Sequence, residues 1–116
     1  MNWKTLATRH LRQYGAMKSG LENLTRQLSL PCNPAKRQAL EHRLRNTRCW
    51  VDTVERGLSA LTGEQRQVLE LLYIDPRPNR LAALCDAQQR EQSTIYRRRD
   101  AALERFTTAL FGLPGA

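Results

Sequence analysis

The sequence predicts an all-α protein. Apolar residues recur at steps of three and four through most of the chain, no stretch alternates apolar and polar residues as a strand would, and the helix-breaking residues sit at a few points. The 116 residues are the size of one domain, or of a small domain with an extension. With 41% apolar residues, six Gly and five Pro, the chain can bury one modest core.

The first element runs from Trp3 to Leu28. Trp3, Ala7, His10, Tyr14, Met17, Leu21, Leu24 and Leu28 form a seam whose steps alternate between four and three, which predicts one long helix. Gly15 and Gly20 each cost about 1 kcal/mol relative to Ala, so fraying or a bend is expected between them. Pro31 cannot continue this helix. Asn33 followed by Pro34 starts the next: Asn caps free N–H groups, and Pro at the first helical position gives up no hydrogen bond. Its seam is Leu40, Leu44, Thr47, Val51, Val54, Leu58 and Leu61. Two long amphipathic helices with a short link predict an antiparallel, coiled-coil-like hairpin over residues 1–60, which shields its own seam or pairs with a second copy. Leu44, Val51, Val54 and Leu58 are the expected buried positions.

A second unit is predicted over residues 61–116. Thr62 and Gln65 fit a capping box. The helix they open carries Val68, Leu69, Leu71, Leu72 and Tyr73 and stops before the stretch Asp75 to Pro78. A short helix holds Leu81, Leu84 and Cys85. A polar turn at 87–91 leads to a last helix from about Gln92 to Phe111, stopped by Gly112.

That last helix contains STIYRRRD, with Arg97, Arg98 and Arg99 side by side. On a helical wheel Ile95, Ala102, Phe106, Ala109 and Leu110 share one arc, the expected buried face. Arg97 lies about 200° from Ile95 and points to solvent, Arg98 about 60° to one flank, and Arg99 about 40° to the other. Arg97 is thus free to meet a ligand, and Arg98 can reach a phosphate beside the helix. Arg99 is expected to pack its stem on the core and pair with Glu70 or Asp86.

A short helix, a tight polar turn and a longer helix follow one another in the order of a helix-turn-helix, whose second helix enters the major groove by its first turns. Arg makes bidentate pairs with guanine, and Ser and Thr contact bases or phosphates. Hydrogen-bonding side chains there also sit at the positive end of the helix dipole, which favours phosphate. The candidate DNA-binding residues are Arg90, Gln92, Ser93, Thr94, Tyr96, Arg97 and Arg98, with 92–111 as the recognition helix. Glu91 fits either a cytosine contact or a helix cap.

The stretches LTGEQRQVLELLYI and RLAALCDAQQREQSTIYRRRDAALERFTTALFG, about residues 61–112, resemble the C-terminal promoter-reading domain of bacterial sigma factors. They resemble more closely the small sigma-like regulators of phages and mobile elements, the ArpU and RinA type. The resemblance implies a three-helix, sigma-region-4-like fold and transcriptional regulation through double-stranded DNA. It does not extend to the hairpin. Where such proteins often carry Leu-Gly in the turn, this chain has Gln88 and Gln89, and the small apolar residue expected next is Arg90.

Charge is unevenly spread. The net formal charge is +8, which points to a polyanionic partner. Residues 1–60 hold eleven Lys and Arg against four Asp and Glu, a net +7; residues 61–116 hold eight against seven, a net +1. The hairpin is therefore expected to touch the DNA backbone, or to meet a protein partner such as RNA polymerase. A helical interaction module and a small-terminase-like DNA-packaging factor are the alternative readings.

No catalytic arrangement of Ser, His, Cys or Asp, no phosphate loop and no dinucleotide fingerprint occurs, so no enzymatic activity and no cofactor are expected. Cys32, Cys49 and Cys85 are odd in number and far from His10 and His42 at zinc-site spacing, so neither metal nor disulfide framework is expected. The N-terminal residues lack the apolar core of a signal peptide and no run approaches a membrane span, which predicts a cytoplasmic protein.

Overall fold

A computed structural model describes residues 1–75 and 78–114, and it is helical, with no strand among the described residues. Pro76 and Arg77, part of the predicted stop, and Gly115 and Ala116 lie outside them. The elements are α1 (Trp3–Leu28), α2 (Pro34–Ser59), α3 (Gly63–Leu69), a π-helical turn (Glu70–Ile74), α4 (Arg80–Gln88) and α5 (Gln92–Phe111). The molecule measures 56 × 39 × 21 Å.

The helix starts follow local chemistry. The Asn2 side chain accepts from the Thr5 N–H at 3.1 Å, and that of Asn33 from the Lys36 N–H at 2.8 Å. Thr62 and Gln65 exchange both bonds of the capping box. α1 is continuous through Gly15 and Gly20. It runs antiparallel to α2. The Tyr14 hydroxyl donates to Glu55 Oε1 at 2.8 Å, and far along the pair Arg37 donates to the Leu28 carbonyl at 3.1 Å. Burial, with help from the Glu55 bond, pushes the Tyr14 pKa up to about 12.

The main core crosses the predicted boundary at residue 60. Ala7, Leu11 and Tyr14 of α1, Val51, Val54 and Leu58 of α2, Leu69 of α3, and Ala102 and Phe106 of α5 form one buried cluster. A smaller cluster joins Val68, Leu84 and Ile95. The two predicted units therefore share apolar packing. Beyond Tyr14 the α1–α2 pair stands alone, and Met17, Leu21, Leu24, Leu28, Leu40, Leu44 and Thr47 are only half-buried. Leu44 thus departs from the expected burial, because two helices without a third layer leave part of every seam residue in water.

Two contacts fix α5. The first is Gly57, where α2 approaches closely enough that an added Cβ would lie 2.8 Å from Phe106 Cε1. The second is the turn before α5. Ile95, Ala102 and Phe106 are buried as the wheel requires, but Ala109 is exposed. The second half of α5 instead offers Leu103, Leu110 and Phe111 to the core. It packs against both α1 and α2, which rotates its covered face away from Ala109.

The π-turn has no counterpart in the sequence reading. The Asp75 N–H donates to the Glu70 carbonyl, five residues back, at 2.7 Å. The turn sends Leu71 and Leu72 to the small cluster and Tyr73 and Ile74 to the main one.

His10 is buried, stacked on Trp50 with ring centroids 4.1 Å apart, and neither ring nitrogen has a hydrogen-bond partner. Burial lowers its pKa from the ordinary 6.5, and neighbouring Arg9 lowers it further.

Candidate nucleic-acid interface

The first turns of α5 stand on a frame made by α3, α4 and the turn between α4 and α5. α4 runs to Gln88, so the link is the three residues 89–91. Its geometry is a Schellman stop. The Arg90 N–H donates to the Cys85 carbonyl at 3.1 Å, the Gln89 N–H to the Asp86 carbonyl at 3.3 Å, and Gln89 takes the left-handed conformation, φ 51° and ψ 48°. Glycine is the usual residue here, and its absence costs the turn backbone strain. This is the position where the sigma-like regulators that residues 61–112 resemble often carry Gly, and the turn forms here with Gln89.

Gln88 ties the frame together. Its Nε2 donates to the Glu64 carbonyl and to Gln67 Oε1, both at 3.0 Å, and its Oε1 accepts from Arg98 Nη1. One half-buried amide thereby joins α3, α4 and α5. Arg98 Nη2 also lies 3.4 Å from Glu64 Oε2.

Arg98 is therefore turned into the frame, not toward a phosphate beside the helix as its wheel position suggested. Its flank of α5 is the one that α3 and α4 cover. Arg99 departs too. It pairs with Asp100 at 2.9 Å, not with Glu70 or Asp86, and its guanidinium lies 4.9 Å from the centroid of the Tyr96 ring. Arg97 is exposed, as its wheel position requires, and its one recorded bond is a 3.4 Å donation to Thr94 Oγ1.

The structure brings Arg90, Gln92, Ser93 and Arg97 together, all exposed around the start of α5, with Tyr96 at the edge and Thr94 half-buried beneath Arg97. Glu91 occupies the N-cap position with no side-chain cap bond. The first N–H groups of α5 are thus uncapped by any side chain, at the positive end of a 20-residue helix. The arrangement offers two guanidiniums, an amide, a hydroxyl and helix-end N–H donors on one outward face, a donor set suited to phosphates and base edges.

The α1–α2 pair contributes charge. Arg26, Lys36, Arg43, Arg45 and Arg48 are exposed along it. Among the described residues every recorded ion pair lies in α3 to α5, and none in α1 or α2.

No helix among the described residues is long and apolar enough to cross a membrane, and none of their His, Cys, Asp and Glu side chains cluster in a group that could hold a metal ion. No family model, curated protein or solved structure matches the chain.

Proposed function

We propose that the protein is a sequence-specific double-stranded DNA-binding transcriptional regulator. In this reading α1 and α2 form an N-terminal hairpin, α3 to α5 a sigma-region-4-like helix-turn-helix unit, and α5 is the recognition helix. The observation that carries it is the outward face of the first turns of α5. Arg90, Gln92, Ser93 and Arg97 are exposed there together, above a helix start that no side chain caps. The reading as a phage or mobile-element regulator rests on the resemblance of residues 61–112 alone.

The basic α1–α2 pair supports backbone contact beside the recognition helix, which adds affinity without adding sequence preference. A second reading, self-association or polymerase binding through this pair, is favoured by its half-buried seam beyond Tyr14, which a further helix would complete.

Selection of bound sequences from a random duplex pool tests the first reading. A defined motif is expected, and a two-fold symmetric one identifies a dimer. A pool without enrichment rejects sequence-specific binding and leaves the protein-interaction reading.

A further inference from the structure

We infer that the cleft between α1, the π-turn, α4 and α5 is a binding site for a small phosphate ester of nucleotide size. The cleft has a volume of about 630 Å³, within the range of small-molecule sites. Three guanidiniums from three separate helices line it: Arg12 of α1, Arg80 of α4 and Arg99 of α5. Like charges converging in a cleft repel one another. Among the described residues no carboxylate is recorded in an ion pair with Arg12 or Arg80; only Arg99 has one, Asp100. An anion seated between them removes that repulsion.

The positions of two of these groups are set in advance. The Arg12 guanidinium lies over the Tyr73 ring at 5.6 Å, and that of Arg99 over Tyr96 at 4.9 Å. Arg99 spends its Nε and Nη2 on Asp100 Oδ1 and keeps Nη1 for an anion, whereas Arg12, held over Tyr73, can turn a fork of N–H groups to phosphate oxygens. Leu72 and Leu81 supply apolar wall, more than a bare phosphate needs and suited to a sugar and base. Duplex DNA read by Arg97 leaves the cleft open, because Arg99 and Arg97 are about 160° apart around α5. The site thus opens on a different side of α5 from Arg97 and meets the DNA face only at Tyr96, and its occupant would bridge α1 to α5.

The test titrates the free protein with AMP, GMP, inorganic phosphate and adenosine by calorimetry, for wild type, Arg12→Gln, Arg80→Gln and, as a charge control outside the cleft, Arg43→Gln on α2. The expected result is saturable one-to-one binding of a nucleotide, displaced by phosphate at higher concentration and absent for adenosine. Arg12→Gln and Arg80→Gln should each weaken it about tenfold or more, with Arg43→Gln unchanged. Absence of saturable binding overturns the proposal, as does binding that both cleft variants retain, which is diffuse attraction to basic surface. DNA affinity measured without nucleotide separates the two phosphate sources. Arg80→Gln leaves it unchanged if the cleft takes a free ester, and a reduced salt slope assigns the cleft to the DNA backbone and overturns the small-ligand site. The nucleotide titration needs no DNA, so it stays readable if DNA binding itself fails.

Discussion

Arg98 donates to the Gln88 side chain, and that bond joins α5 to α4. Gln88 is half-buried and serves three elements, so removing its partner leaves an acceptor without its strongest donor. Arg98→Ala is therefore expected to lower stability by about 1–3 kcal/mol, measured by urea unfolding. The Glu64 carboxylate is mostly exposed, and its 3.4 Å contact adds little. A variant of unchanged stability with a shallower salt dependence of DNA binding would assign Arg98 to phosphate instead.

Arg97→Ala is expected to leave the melting temperature nearly unchanged. It should cost about 1–3 kcal/mol on the preferred site and relax preference at one position. Equal loss on preferred and random DNA would make Arg97 a backbone contact. Arg43, Arg45 and Arg48 replaced together by Gln should instead weaken all sequences alike and flatten the salt slope. An unchanged slope removes the α1–α2 pair from the DNA interface.

Gln89→Gly should stabilise the protein. The residue already sits in the left-handed region, where a side chain costs about 1 kcal/mol. Glycine removes that strain and loses only the entropy of a freer unfolded chain. A rise in melting temperature with unchanged DNA affinity is expected. A fall would mean that the Gln89 side chain contributes more than its backbone strain costs.

Gly57→Ala should do the opposite, although Ala is the better helix former. The new methyl would lie 2.8 Å from Phe106 Cε1, and Phe106 is fully buried. Overpacking of this kind costs about 1–3 kcal/mol, against about 1 kcal/mol gained from propensity. A net loss is expected in thermal unfolding, and Phe106→Leu in the same chain should recover part of it.

Stability should decline with acid through His10. Its folded pKa is lowered, so the unfolded chain binds the proton more readily. Stability is therefore whole above the unfolded value of 6.5 and falls as pH drops below it, down to the folded pKa. His10→Phe keeps a ring against Trp50 and removes two nitrogens without partners. The variant should show a flatter melting temperature between neutral pH and pH 5. An unchanged acid response would place the titrating group elsewhere.

Features decided by neighbours in the chain were legible beforehand. Asn33 with Pro34, Thr62 with Gln65, and Gly112 act within one turn of the helix they start or stop, and those limits agree with the structure. Features decided by a second partner were not. Leu11 is fully buried yet falls outside a two-helix seam, because α1 packs on α5 and the π-turn as well as on α2. Arg99 took the adjacent carboxylate over the distant ones that the wheel offered. Gln89 has no propensity for the conformation it holds. In the candidate interface, exposure of Arg97 followed from periodicity alone, whereas the inward turn of Arg98 depends on where α3 and α4 lie. Nothing in the order of residues brings Arg12 beside Arg80 and Arg99.

The contact of α1 with α5 also sets a schedule for folding. Trp3 and Phe111 lie 4.9 Å apart, and Leu11 shares its cluster with Phe106. During synthesis α1 and α2 leave the ribosome first, at about 5–20 residues per second. They can pair before α5 is made, since both are complete by Ser59. Their apolar surface around Ala7, Leu11 and Leu58 then waits for several seconds until α5 emerges to cover it. Over that interval the nascent chain exposes its future core, and chaperones that hold extended apolar segments have their longest opportunity there.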